Sequence, residues 1–239
     1  MQYYTVQYQC GVMPRKTFSV TAGTAHGGGS PIPEQRMAQH LQRGDQRRSH
    51  ILEAAIAVFL EQGYAGASVD RIVQRAGGSK ATLYRHFNSK ADLFAAIIQE
   101  LVAQMTAPIA DQRVGDAGGL AATLEDFART YLDVLLEPRS LALYRMVMAE
   151  GARFPDLGRV FFAQGPGRVA AQLADYLCQR GLGCTTAPVE LLAREFLSLV
   201  RADLHLRALL GVEIADSTVR ARAVSRAVAV FVAQYPRRE

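Results

Sequence analysis

From residue 45 to its end, the chain repeats its apolar residues at helical spacing. Ile51, Ala55, Val58 and Phe59 recur at i, i+4, i+7 and i+8, as expected for one face of an amphipathic helix. No segment alternates apolar and polar residues with period two for long enough to predict a strand. The pattern therefore predicts an all-α protein.

Residues 1–44 lack this period. They carry glycines and prolines, as in the run 27–33, together with scattered polar residues, and this composition predicts a disordered arm. An alternative is that translation begins at Met37 and that the upstream residues come from a misassigned start. The intact mass of the protein made from its native gene distinguishes the two.

Glycine, serine and proline divide the remaining chain into predicted helices. The first ends at Gly63, where a left-handed residue is needed, and Ser68 is placed to cap a second helix. Ser79 caps a short third helix, and the S-x-x-D run 89–92 begins a fourth that continues until Pro108. Further helices are predicted over 123–137, 140–150, 156–180 with a break at 165–167, 188–210 and 217–234.

The helices predicted over 68–76 and 79–87 have the dimensions of a helix-turn-helix, with the motif spanning 68–87. At 100° per residue, Leu83 and Phe87 point inward, which leaves the opposite side of the third helix to enter a major groove. On that side Lys80 and Arg85 are suited to guanine and Thr82 to thymine, next to the small Ala81; Tyr84, His86 and Lys90 are better placed for phosphates.

Charge supports a polyanionic partner. Residues 1–90 hold 11 Lys and Arg against 5 Asp and Glu, whereas residues 91–239 hold 16 against 17. A basic end on a neutral body favours nucleic acid over a membrane surface. No stretch approaches about twenty uninterrupted apolar residues, and there is no signal-peptide pattern, so we expect a cytoplasmic protein without a membrane partner.

Catalytic and metal-binding patterns are missing from the sequence. Its three cysteines, Cys10, Cys178 and Cys184, form no C-x-x-C pair, which argues against structural zinc and fits a reducing compartment. The five histidines are dispersed, with no H-x-x-x-H or paired-carboxylate motif. We therefore expect neither an enzyme nor a metal or cofactor.

The runs 63–73 and 76–94, with the pattern SK.TLY.HF..K..LF, resemble the N-terminal domain of TetR-family transcriptional regulators over residues 45–105. The resemblance implies a homodimer that binds a palindromic operator in double-stranded DNA, usually as a repressor released by a small ligand. It implies DNA contacts by Ser68, Ser79, Lys80, Ala81, Thr82, Tyr84, Arg85, His86 and Lys90.

The segments 144–157 and 202–210 resemble the C-terminal domain of the AefR-like branch, which names no ligand. Residues 106–239 are accordingly predicted to form a helical ligand-binding and dimerisation domain. An effector cavity needs apolar walls with a few polar groups. The candidates for its lining, each of which could instead be an ordinary core residue, are Tyr131, Tyr144, Met148, Phe161, Phe162, Phe196 and His205.

This domain has two further features, a polar cluster and a pair of apolar helix faces. Arg201, Asp203 and His205 form a polar cluster that is either a structural salt bridge or a ligand anchor. The last two helices carry apolar faces that predict a subunit interface. Their residues are Leu191, Leu192, Phe196, Leu199, Val224, Val228, Phe231 and Val232.

The sequence thus predicts a DNA-binding transcriptional regulator with an unknown small-molecule effector. The alternative is a helical protein–protein interaction scaffold that keeps the fold without specific DNA binding. The residues expected to contact DNA are all present, which favours the regulator. They are Lys80, Thr82, Tyr84, Arg85 and Lys90.

Overall fold

The computed structural model describes residues 33–110, 119–182 and 188–235, and within these ranges the regular structure is entirely helical, without a strand. The all-α prediction is confirmed. The helices are α1 Pro33–Gly66, α2 Val69–Ala76, α3 Lys80–Tyr84, α4 Lys90–Ala110, α5 Leu120–Leu136, α6 Pro138–Glu150, α7 Pro155–Gln164, α8 Pro166–Gln179, α9 Val189–Arg201, α10 Leu204–Leu209 and α11 Ser217–Gln234.

Helix α1 begins at Pro33, so the predicted arm through residue 44 extends too far. Proline suits the first turn of a helix, and residues 34–43 are mostly good helix formers that lack a clear apolar stripe. The arm predicted before Pro33 lies outside the described residues, and the alternative start at Met37 stays a prediction. Residues 43–239 form one compact unit.

Gly63 ends the regular part of α1, as predicted. Its φ of 71° and ψ of 172° lie outside the helical region, and a single further turn follows before Ala67. The backbone amide of Ala67 donates to the carbonyl of Gly63 at 3.2 Å. Glycine is needed here because other residues adopt this conformation only with strain.

The helix predicted over 188–210 is two helices, so that prediction is wrong. Ala202 has φ 42° and ψ −130°, which ends α9 and redirects the chain into α10. Arg145 on α6 donates to the carbonyls of Ala208 at 2.6 Å and Leu209 at 2.9 Å. These bonds hold the end of α10 against α6, a long-range constraint that apolar spacing along one segment does not reveal.

Helix α4 passes through the hydrophobic core and packs against α5, α7 and α8. It is long and apolar enough to cross a membrane, but Phe94, Ile97 and Val102 on it are buried within the protein. The helix also runs across residue 105, the predicted boundary between the two domains. The division into 45–105 and 106–239 therefore stays a prediction, with α4 shared between both parts.

The predicted apolar faces of α9 and α11 contain both exposed residues and residues that are buried inside the subunit. Leu191 and Leu199 are exposed, at 47% and 38%. Phe196 is fully buried, with its ring 6.3 Å from that of Phe127 and 5.0 Å from that of Phe231. The residues predicted for an interface that are instead buried inside the subunit are Leu192, Phe196, Val224, Val228 and Phe231.

Candidate nucleic-acid interface and effector cavity

The two helices of the helix-turn-helix begin at the predicted serine caps. Ser68 Oγ accepts from the backbone amide of Arg71, and Ser79 Oγ accepts from that of Thr82, both at 3.2 Å. Each cap satisfies an amide that the first helical turn leaves without an intrahelical partner. The hydroxyls of both serines therefore already have a structural task in fixing where α2 and α3 start.

Helix α3 has the orientation that its sequence predicts. Leu83 and Phe87 are buried, while Ala81, Tyr84 and Arg85 are exposed. Tyr84 is 49% exposed, so much of its ring is open to solvent. The reading face, defined as the outward side chains of Lys80, Ala81, Thr82, Tyr84 and Arg85, is thus open to a partner.

Lys80 joins α3 to α2 at the edge of the reading face. Its Nζ lies 2.6 Å from Asp70 Oδ1, and both side chains are exposed. The hydrogen bond to Asp70 raises the pKa of Lys80 above its ordinary value. A DNA contact by this ammonium would have to exchange the carboxylate of Asp70 for a base or a phosphate.

Lys90 makes several contacts within the protein in addition to its predicted contact with a phosphate. Its Nζ donates to the carbonyls of Tyr64 at 2.7 Å and Ala67 at 3.1 Å, and it lies 4.5 Å from the centre of the Tyr64 ring. Burial lowers the pKa of Lys90. An ammonium has three donors, so one is left for DNA after the segment between α1 and α2 has been fixed.

His86 is half-buried at the end of α3, and its Nε2 is buried without a hydrogen-bond partner among the described residues. Burial, followed by the charges of Arg85, Arg48 and Arg47, lowers its pKa below the ordinary value of 6.5. In the absence of DNA this shift favours the neutral imidazole.

Arg47 supports the helix-turn-helix from α1 and was not singled out from the sequence. It donates to the carbonyl of Ala76 at 3.0 Å and to that of Gly77 through its second terminal nitrogen. A cation at a helix C-terminus satisfies carbonyls that lack partners and interacts favourably with the helix dipole. Because Arg47 lies far from the end of α2 in the sequence, no local sequence pattern predicts this pairing.

A cavity of about 630 Å³ opens among α5, α6, α7, α8 and α9. Five of the seven residues predicted for an effector cavity line it: Tyr131, Tyr144, Met148, Phe161 and Phe162. The other lining residues are Val147, Gly151, Ala152, Gly158, Pro166, Gly167, Ala170, Arg194, Leu197, Ser198 and Arg201. Phe196 does not line it and is a core residue, because its ring packs between helices α5 and α11.

His205 lies behind the cavity wall. It is buried and is not among the lining residues, and its ring contacts that of Tyr144 edge-on at 4.8 Å. Burial lowers the pKa of His205 to about 4. Asp203 pairs with Arg207 at 2.9 Å, so it does not form the predicted cluster with Arg201 and His205.

Arg194 was missed by the sequence analysis, although it lines the cavity together with Arg201. Both lie on α9, seven residues apart, with Ser198 between them, so all three share one helix face. Arg194 is exposed and Arg201 is half-buried, as is ordinary for arginine on an amphipathic helix, so no pattern within α9 marks either residue as part of a cavity.

Glu150 connects the cavity with the helix-turn-helix. At the end of α6, its Oε1 accepts from the amide of Tyr64 and its Oε2 from the amide of Ala65, both at 2.8 Å. Hydrogen bonds from backbone amides to a carboxylate are stronger than those between neutral groups. The next two residues, Gly151 and Ala152, line the cavity. The carboxylate thus ties the segment that precedes α2 to the wall of the cavity.

Two family models match the chain. One describes bacterial regulatory proteins of the tetR family and covers residues 51–97. The other describes the C-terminal domain of AefR-like transcriptional repressors and covers residues 122–237. Together they include the helix-turn-helix and most of the cavity-forming helices.

Curated relatives resemble a part of the chain. The transcriptional activator FasR of Mycolicibacterium smegmatis is 44% identical over 72 residues, which are 30% of this chain and 32% of FasR. The transcriptional repressor AcnR of Corynebacterium diphtheriae is 40% identical over 65 residues, which are 27% of this chain and 34% of AcnR. The matches thus span about a third of the length of these relatives.

Solved structures resemble nearly the whole described fold. The flavonoid-responsive regulator FrrA is 31% identical, with a TM-score of 0.64, and the match covers 81% of this chain and 100% of FrrA. A TetR-family regulator from Mesorhizobium loti is 27% identical, with a TM-score of 0.62, and the match covers 81% of this chain and 98% of that one.

Proposed function

Because the chain belongs to the TetR family of DNA-binding transcriptional regulators, we propose that it is a cytoplasmic repressor that binds a palindromic operator as a homodimer and releases it when a small molecule fills the cavity. The AefR-like repressor match supports the direction of regulation. The name of FrrA, a flavonoid-responsive regulator, supports a response to a ligand. Neither comparison identifies the effector of this chain.

The observation that carries the proposal is the exposed reading face of α3. The helix is fixed from behind by buried Leu83 and Phe87, while Arg85 and Tyr84 project from its outer side. A short helix anchored in this way suits insertion into a major groove. We assign base contacts to Lys80, Ala81, Thr82 and Arg85, and phosphate contacts to Ser68, Ser79, Tyr84, His86 and Lys90.

A groove between α9 and α11 supports the dimer. Its lining includes Leu191, Leu199 and Val230, which are all exposed, together with acidic Asp203 and basic Arg226. Under two-fold symmetry a second copy presents the same apolar residues and both signs of charge to this groove. We therefore assign this groove to a second copy of the chain.

The route from effector to DNA runs through Glu150. An effector that contacts Gly151 and Ala152 would displace the end of α6, and the bonds from Glu150 to Tyr64 and Ala65 would carry that movement to the start of α2. A change in the angle of α2 and α3 alters the spacing of two reading faces in a dimer. Operators with a fixed half-site spacing discriminate against such a change.

Selection of bound duplexes from a random DNA library tests this proposal. We expect the full-length protein to enrich a palindrome whose half-sites lie one or two helical turns apart. Tyr84→Ala should enrich no sequence. Arg129→Ala, which removes an exposed arginine from α5, is the matched control and should enrich the same palindrome as the unaltered protein.

Two results would contradict the proposal. Failure of the unaltered protein to enrich any sequence would favour the interaction scaffold that keeps the fold. Enrichment of a single asymmetric site by a monomer, shown by light scattering on the complex, would overturn the homodimer and the palindrome.

A further inference from the structure

We propose that the effector is an apolar molecule with one carboxylate, which is bound by Arg194 and Arg201 at the α9 side of the cavity. This inference rests on the proposed function, since it specifies the ligand of the same cavity. It concerns two side chains on α9 that the sequence analysis did not connect with each other.

Most of the cavity wall is apolar or aromatic. Val147, Met148 and Leu197 contribute aliphatic surface, and Phe161 and Phe162 contribute rings. A volume of about 630 Å³ falls in the range of small-molecule sites and accommodates a fused ring system or a medium-length acyl chain. Burial of such a body favours binding because it removes apolar surface from water.

Charge in this cavity has one sign. None of its described lining residues is acidic, whereas Arg194 and Arg201 are both present. Since a guanidinium stays protonated in proteins, the α9 side of the cavity carries positive charge at every relevant pH. A ligand with an ammonium group is therefore disfavoured, and an anion is favoured.

The two arginines keep donors for a ligand. Neither belongs to an ion pair within the described part of the chain. Arg201 Nε donates to the carbonyl of Leu197 at 3.3 Å, which leaves the donors of its two terminal nitrogens. Terminal guanidinium nitrogens form paired hydrogen bonds with the two oxygens of a carboxylate.

The position of these residues also matches an amphipathic ligand. Arg194, Ser198 and Arg201 occupy one face of α9, while the aromatic residues Phe161 and Phe162 come from α7. A ligand can thus bind with its carboxylate at α9 and its apolar body against α7. Ser198 Oγ already donates to the carbonyl of Arg194, so hydrogen bonds to the carboxylate come from the two guanidinium groups.

Isothermal titration of the full-length protein with matched probes tests the inference. The probes are 2-naphthoate against 2-naphthamide, and decanoate against decanol, so that each acid is compared with an uncharged molecule of similar shape. We expect each acid to bind the unaltered protein at least tenfold more tightly than its uncharged partner.

Arginine variants connect this preference to the site. In Arg201→Gln, and separately in Arg194→Gln, the preference should fall to less than threefold. Arg168→Gln is the control, because Arg168 is exposed on α8 and does not line the cavity. Equal binding of acid and uncharged probe, no binding of either acid, or an equal loss of preference in Arg168→Gln would overturn the inference.

Parallel titration of the DNA complex separates this inference from the proposed function. If the acids bind with the expected dependence on arginine but leave the operator complex intact, the ligand class stands and release by this effector class fails. If the uncharged probes release the operator at lower concentrations than the acids, release stands and the ligand class is wrong.

Discussion

Gly63 is the residue whose replacement should disturb the structure most directly. A Cβ at this position would lie 2.5 Å from Glu150 Oε1, and the φ of 71° is unfavourable for any side chain. We expect Gly63→Ala to lower the free energy of unfolding by about 1–3 kcal/mol, because strain and the displaced carboxylate add to each other. Urea unfolding followed by circular dichroism measures the change.

Gly66→Ala is the matched control for Gly63→Ala. It lies in the same last turn of α1, and the nearest atom to its added Cβ is Gln62 Cβ at an ordinary 3.5 Å. This variant should change stability by less than about 1 kcal/mol. Equal stability of the two variants would show that the Gly63 conformation and the Glu150 contact have been misassigned.

Glu150→Gln should weaken the connection between the cavity and the DNA-binding helices. The amide has one oxygen, so it can accept from Tyr64 or Ala65 in the observed manner but not from both. We expect a smaller effector-induced fall in operator affinity, with 2-naphthoate as the probe, and little change in affinity for the probe. An unchanged response would place the coupling elsewhere.

His205 should make the protein sensitive to mild acid. Its pKa is about 4 in the folded chain and 6.5 when exposed, because burial disfavours the charged ring. Between these values the unfolded chain binds a proton that the folded chain does not, so stability falls as pH falls. From pH 7.5 to pH 5 this amounts to about 2 kcal/mol.

Replacing His205 with phenylalanine keeps a ring against Tyr144 and removes the titrating group. The unfolding free energy of His205→Phe should therefore fall about 2 kcal/mol less than that of the unaltered protein between pH 7.5 and pH 5. Parallel urea titrations at both pH values measure this difference. Identical acid sensitivity of the two proteins would mean that His205 is not held neutral.

Sequence patterns identified residues whose role depends on neighbours in the chain. The caps Ser68 and Ser79 and the inward Leu83 follow from local spacing alone. Arg47 and Glu150 could not be found in this way, because each contacts backbone groups far along the chain. A side chain that serves a distant helix end gives no periodic signal.

At the scale of elements, Gly158 on α7 tests whether the space beside this helix is open. A Cβ on Gly158 would meet no atom within 4 Å, although the residue lies within a helix and lines the cavity. Gly158→Ala should raise the free energy of unfolding by roughly 0.5–1 kcal/mol, since glycine is a poor helix former. Thermal or urea unfolding detects an effect of this size.

Gly158→Phe should act on the effector and not on DNA. Its ring would project into the cavity and compete with a ligand, while the reading face on α3 is left unchanged. We expect operator affinity within about threefold of the unaltered protein, together with loss of 2-naphthoate binding in a calorimetric titration. Unimpaired probe binding in this variant would show that the probe binds elsewhere.

The sequence predicted which segments are helical better than it predicted where helices end or break. Gly63 and the glycines after α2 mark boundaries because glycine adopts positive φ, and the structure places them there. The break at Ala202 had no such signal, since alanine is a strong helix former, and its φ of 42° occurs just before α10, which Arg145 holds against α6. The exposed and buried halves of α9 could likewise be separated only once α5 and α11 were in place.

At the scale of the molecule, net charge and the reading face of α3 contribute differently to DNA binding. The excess of basic residues lies in the first 90 residues of the sequence, which include the residues of the reading face, while residues 91–239 are nearly neutral. Long-range attraction to DNA therefore belongs to one end of the chain and is reduced by salt. Discrimination among sequences must instead come from α3, because phosphate contacts do not distinguish bases.

The most direct measurement is fluorescence anisotropy of the purified protein with DNA from upstream of its own gene and with a scrambled duplex, over a series of salt concentrations. We predict salt-sensitive binding with at least a hundredfold preference for the native fragment, and loss of that preference in Arg85→Ala. Equal and weak binding to both duplexes, unchanged by Arg85→Ala, would contradict sequence-specific regulation through the reading face of α3.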